Sequence, residues 1–130
     1  MPPTLFLIFN HTVTSEQERA ARAQLGVENL IPLPPDLQAL WSQIPPDVPE
    51  LLPYLEPLRQ WLAHVSRPGD YVLIQGDFGA TYLMVNFALK QGLIPLYATT
   101  RRQAVEEHLP DGTVKMVHHF QHQMWRRYGV

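Results

Sequence analysis

The sequence predicts one Rossmann-like α/β domain over residues 1–130, with a mostly parallel sheet of about five strands flanked by helices. Three observations carry this. Thr4–Phe9 and Tyr71–Gln75 are unbroken apolar runs of strand length, which suit strands buried on both faces. Such runs alternate with helical stripes in the order β-α-β-α-α-β-α-β-α-β, which a parallel sheet with helices on both faces accommodates. Finally, 130 residues, 45% hydrophobic and 17% charged, match one globular domain with its own core.

Each element has a local reason. After Thr4–Phe9 and the loop Asn10-His11-Thr12, Ser15-x-x-Glu18 reads as a capping box opening a helix through Ala20, Ala21, Ala23 and Leu25, which Gly26 stops. Asn29–Leu33 is a short strand, placed at a sheet edge by Pro32. Eight of the 13 prolines fall between Pro32 and Pro57. Within that stretch Leu37, Leu40, Trp41 and Ile44 form one helical face after Pro34-Pro35. Leu51, Leu55, Leu58, Leu62 and Val65 form a second stripe, which Pro53 and Pro57 restrict to residues 54–65 or kink. Tyr71–Gln75 is the central strand. Gly76–Ala80 is a glycine loop, and Thr81–Gln91 a helix ended by Gly92. Leu93–Tyr97 is a strand. Thr100-x-x-Gln103 reads as a capping box opening a short helix, Arg101–His108. Asp111-Gly112 is a turn. From Thr113 the apolar and histidine residues Val114, Met116, His118, Phe120, His122 and Met124 alternate with polar ones, the pattern of a strand with one buried face.

Composition narrows the function. A net charge of −2 excludes a strongly basic DNA-coating protein. The balance is uneven, with a net of −4 over residues 1–100 and +2 over residues 101–130. An anionic ligand therefore favours the C-terminal part. The absence of cysteine excludes disulfides, thiolate metal sites and a cysteine nucleophile. Leu5–Phe9 is too short for a signal-peptide core or a membrane span, so a soluble cytoplasmic protein is expected.

In parallel α/β sheets ligands bind beyond the carboxyl ends of the strands. That rule selects three loops: Asn10-His11-Thr12, Gln75–Ala80 and Thr99–Arg102. In the second, Gly76 and Gly79 let a ligand approach the backbone, and the helix start of Asp77, Phe78, Gly79, Ala80 and Thr81 offers N–H groups to an anion. The same residues also fit a plain strand–helix turn with Asp77 as N-cap. In the third, Thr99, Thr100, Arg101 and Arg102 combine hydroxyls and guanidinium groups at an expected helix start. They read either as a phosphate site or as a capping box with solvated arginines. His11 is a general acid/base candidate or a surface histidine. His118, His119 and His122 do not make a metal motif: position 119 lacks the glutamate of HExxH, and strand alternation puts His119 on the other face. No Gly-x-Ser-x-Gly elbow occurs. Trp41, Trp61 and Trp125 fit core or interface positions.

Four segments carry a resemblance: LFLIFNH, LPPDLQALWSQIPP, PGDYVLIQGDFGATYLMVNFALKQGLIPLYATTRR and AVEEHLPDGTVKMVHHFQH. Over almost the entire chain, and most specifically in QGDFGATY and IPLYATTRR, the sequence resembles the small CRISPR-associated proteins of the Csx-twenty family. That resemblance implies a CARF-related domain of type III CRISPR defence. The implied activity is that of a ring nuclease opening a cyclic oligoadenylate, cyclic tetra-adenylate above all, without metal or cofactor. A two-fold ligand of this kind implies a homodimer. Loop position then gives roles. His11 moves a proton, and Arg101, Arg102 and the amides of Gly76–Ala80 stabilise phosphoryl charge. Asn10, Thr12, Gln75, Thr81, Thr99 and Thr100 hold ribose, phosphate or base edges. Two rivals remain: a module that sequesters the ring uncut, and a dimeric interaction protein that uses the Trp/Pro segment.

Overall fold

The computed structural model describes residues 2–130. Its elements are β1 (Leu5–Ile8), α1 (Ser15–Leu25), β2 (Leu30–Pro32), α2 (Pro35–Ser42), α3 (Leu52–Val65), β3 (Tyr71–Ile74), α4 (Phe78–Lys90), β4 (Ile94–His108) and β5 (Val114–Arg127). The strands lie in the order β2-β1-β3-β4-β5. β2, β1, β3 and β4 run parallel, and β5 runs antiparallel to β4. The sheet is therefore mixed, not mostly parallel as the alternation of elements predicts. Its longest pairing is the antiparallel one, from Leu96–Arg127 to His108–Val114.

Alternation along the central strands divides the core in two. Phe6, Ile8, Val72 and Ile74 face α2, α3 and α4, where they meet Trp41, Leu55, Leu58, Leu62 and Met84. Leu5, Leu73 and Leu96 face the other way, against Ala21, Val27 and Trp125. The proline-rich helices thus supply core. Trp61 meets Phe6 edge-on at 5.8 Å. On the second face Gln24 of α1 clamps the Trp125 backbone, donating to its carbonyl at 2.7 Å and accepting from its N–H at 2.9 Å.

Three local expectations are corrected. The α1 cap is Thr14 with Gln17, one residue earlier than the Ser15/Glu18 pair; each side chain accepts from the other's backbone. Residues 101–108 form no helix but continue β4. Helix-forming residues here are held extended by their ladder to β5, because tertiary pairing overrides propensity. The alternation in β5 is present, but its apolar face is not buried, with Phe120 68% exposed. β3 pairs β4 only as far as Leu96, so residues 99–124 project past the sheet as a two-stranded arm. An extra residue, Gln123, bulges β5 at its base. There His122 packs 5.1 Å from Trp125 with neither ring nitrogen partnered. Burial lowers the pKa of this histidine, against a smaller upward pull from Glu16.

Candidate functional site

Strand order reverses between β1 and β3, because β1 leads outward to β2 and β3 leads the opposite way to β4. The loops after these strands therefore flank a crevice at the carboxyl edge. Two clefts open along it.

The first, of about 330 Å³, is lined by Gln75, Gly76, Phe78, Thr81, Tyr97 and Tyr128. Its floor is rigid. Trp41 donates its indole N–H to the Gln75 carbonyl at 3.0 Å. A side chain at Gly76 would put its Cβ 2.8 Å from that indole nitrogen, so glycine is required here by Trp41. Gln75 caps the end of β4 by accepting from the Ala98 N–H at 2.8 Å, which leaves its NH2 for a ligand. Tyr128 donates to the Ile74 carbonyl and tilts against Tyr97 at 4.8 Å. Burial, and then the neighbouring Tyr97, push the Tyr128 phenol up, so it stays a donor.

The entrance is formed by the start of α4. Asp77 caps it, its carboxylate accepting from Ala80 N–H at 3.0 Å and its carbonyl from Thr81 N–H at 2.8 Å. The preceding N–H groups, those of Phe78 and Gly79, are the ones a ligand can reach. The Phe78 ring is 95% exposed, and Tyr82, one turn on along the same helix face, is 68% exposed. The Thr81 hydroxyl is buried without a partner. Arg126 stands over Tyr97, donating to its hydroxyl at 2.6 Å with the guanidinium 5.0 Å from the ring centre. Strand alternation places Arg101 on this same face of β4, two steps beyond Thr99.

Unlike Gly76, Gly79 has no structural necessity. A Cβ there would meet Asp77 and Leu51 at an ordinary 3.5 Å. Gly79→Ala should therefore stabilise the protein by about 0.5 kcal/mol, the low end for glycine to alanine in a helix. It should at the same time weaken any ligand seated on the helix start. Denaturant melts beside a binding titration would show the two effects moving in opposite directions.

The second cleft, of about 460 Å³, follows β1 and contains Asn10, His11, Thr12, Glu18 and Gln38. His11 is exposed and meets Phe9 edge-on at 5.4 Å. This cleft holds a carboxylate, paired with Arg22 at 3.0 Å, and no lining cation. It suits ribose or base edges better than phosphate. The two clefts share no lining residue, so His11 and the Gln75–Thr81 loop border the crevice from separate cavities.

The Thr99–Arg102 group does not converge. The Thr99 hydroxyl is used at the bulge, donating to the Met124 carbonyl and accepting from its N–H, both at 3.2 Å. Thr100 and Arg102 point to the α1 side, opposite Arg101. Arg102 donates to His118 Nδ1 at 3.3 Å and lies 5.8 Å over Phe120. With no helix start at residue 101, the expected pair of guanidinium groups on one phosphate is replaced by Arg101 and Arg126 on one face. Tyr97, Tyr128 and Arg126 were not singled out from sequence. Counting back from the Asp111-Gly112 turn as a hairpin reaches Trp125 opposite Tyr97, and only the bulge at Gln123 shifts the partner to Arg126.

A third cavity of about 390 Å³ sits at the opposite edge of the sheet, beside Thr4 and Asp70. Its carboxylate is already satisfied by the N–H groups of Thr4 and Arg67, at 3.0 and 2.9 Å. Among the described residues no three metal-ligating side chains cluster, and no helix is long and apolar enough to cross a membrane.

The chain matches the model of a family described as "Uncharacterized protein MJ1673 family" over residues 3–126. "Uncharacterized protein MJ1673" of Methanocaldococcus jannaschii is 48% identical over 126 residues, which cover 97% of this chain and 97% of that protein. No solved structure matches the chain significantly.

Proposed function

The chain belongs to the MJ1673 family, and we propose that this member is a ring nuclease that binds and opens a cyclic oligoadenylate, with cyclic tetra-adenylate the expected ring. The observation that carries the reading is the entrance to the Gln75 cleft. A nearly fully exposed phenylalanine, a helix start and an unpartnered buried hydroxyl meet there beside Arg126, with Arg101 further out on the same face of the sheet. Exposed aromatic rings stack on bases, and a helix start with guanidinium groups takes phosphate. A nucleotide presents both. The four parallel strands with their helical crossovers are read as the Rossmann-like, CARF-related part of the fold, and the β4–β5 arm as an addition to it.

The reaction needs no water. The ribose 2′ oxygen attacks the adjacent phosphorus as the P–O5′ bond breaks. The 2′ proton goes to a base, and the leaving 5′ oxygen takes a proton. The products are a 2′,3′-cyclic phosphate and a 5′ hydroxyl. The protein's task is in-line alignment and charge stabilisation. Arg101, Arg126 and the N–H groups of Phe78 and Gly79 serve the phosphoryl oxygens. The Thr81 hydroxyl and the Gln75 amide hold ribose or base. His11, with Asn10 and Thr12, reaches the ring from the second cleft as acid or base. A ring of four nucleotides is wide enough to touch both clefts, and a two-fold pair of chains would present the set twice.

Arg101→Ala and Arg126→Ala should each slow ring opening by about 100-fold, the usual loss for one charge-stabilising donor. His11→Ala should slow it by a similar factor while binding is retained. The separation of His11 from the Gln75 cleft favours one second reading, a sequestering module that holds the ring intact. Under that reading all three variants leave product formation at zero and only the arginine changes weaken binding.

A further inference from the structure

We propose that the β4–β5 arm is a self-pairing surface, which packs its α1-side face against the same face of a second copy of this chain about a two-fold axis near Ala104 and His118. The claim rests on the arm itself and holds whatever ligand the crevice takes.

Residues 99–124 pair with no element but each other, and all but Thr99, Val117 and His122 are exposed. A lone two-stranded ribbon is marginal in water, so an arm this long calls for a cover. The face to be covered is marked by its alternation. It carries Val114, Met116 and Phe120, which are 53, 54 and 68% exposed, on the pattern of a buried strand face. Single apolar residues on a surface need no explanation, but three on one strand face, interrupted only by His118, do.

The occupant follows from how the face is ordered. Going from tip to base, the cross-strand pairs are His108–Val114, Glu106–Met116, Ala104–His118, Arg102–Phe120 and Thr100–His122. The one acidic residue of this face, Glu106, lies toward the tip, and its one arginine, Arg102, toward the base. A rotation by half a turn about the Ala104–His118 pair lays Glu106 on the second copy's Arg102 and Met116 on its Phe120. Charge meets opposite charge and apolar meets apolar, twice over, with the small Ala104 at the centre where the backbones approach. An isologous interface requires this kind of self-complementarity. Within one chain Glu106 and Arg102 lie four strand residues apart, roughly 13 Å, too far to pair. Arg102 is instead held over Phe120 and against His118, already directed across this face.

The test is oligomeric state without ligand, by sedimentation or light scattering over a range of concentrations. The wild-type chain should run at twice its monomer mass. Glu106→Arg and Arg102→Glu should each give monomers with an unchanged melting core, and the double swap should restore the dimer. Phe120→Ser, at a position no core residue depends on, should give a monomer too. A wild-type chain that stays monomeric overturns the proposal. So does a dimer indifferent to these changes, as one joined through the β5 edge would be, because Arg102 and Glu106 lie on β4, away from that edge. Loss in both single variants without rescue in the double overturns the two-fold register. None of these outcomes depends on nucleotide, so failure here leaves the reading of the crevice standing, and failure of that reading leaves this one.

Discussion

Trp41→Ala should lower the free energy of unfolding by about 3–5 kcal/mol, the usual cost of deleting a buried tryptophan. Trp41 is 1% exposed, packs in the cluster beneath α2, α3 and α4, and donates to the Gln75 carbonyl. Its loss opens a cavity directly under the glycine loop. Gly76→Ala should destabilise through the same contact, by about 1–3 kcal/mol, because the new methyl overlaps a rigid indole. The pair is informative because the two errors cancel. In the double variant the methyl enters space that the indole has left, so the cost of Gly76→Ala should disappear. Chemical denaturation of all four proteins gives the cycle. Additive costs would mean that the penalty at Gly76 does not arise from Trp41.

Phe78→Ala should leave stability within about 0.5 kcal/mol, as expected for an exposed substitution. It should weaken binding of an adenine nucleotide ring by about 1–3 kcal/mol per stacked base. That is roughly ten- to a hundredfold in Kd. Nothing in the fold uses this ring, which makes the contrast between unchanged melting and weakened binding diagnostic. Calorimetry with cyclic tetra-adenylate measures the binding half. An unchanged Kd would remove the stacking role and with it the main reason to expect a base at this entrance.

Legibility differed sharply along the chain. β1 and β3 announced themselves, because strands buried on both faces are continuous apolar runs and little else in the sequence looks like them. The edge position of β2 followed from Pro32, and Asp77 caps α4 as a strand–helix turn demands. The error lay in residues 101–108. Arg101–His108 has no period of two and contains Gln103, Ala104, Glu106 and Glu107, all acceptable in a helix. Its strand state comes from β5 across the turn, with partners as far on as Gln121 for Arg101, and the residues' own local pattern does not show that pairing. That one misreading propagated. It placed a helix start under Thr99–Arg102, turned the antiparallel hairpin into two separate elements, and hid the register that brings Arg126 to Tyr97. The packing demand on Gly76 was hidden for a different reason: its neighbour in space, Trp41, is 35 positions away in sequence, and only packing reveals that the glycine makes room for an indole.

The most direct measurement follows the fate of cyclic tetra-adenylate mixed with the purified chain in excess chelator, with products separated by chromatography. The account predicts linear oligoadenylates ending in a 2′,3′-cyclic phosphate and a 5′ hydroxyl, formed at the same rate with and without chelator. Rings recovered intact, whether bound to the protein or free, would contradict it.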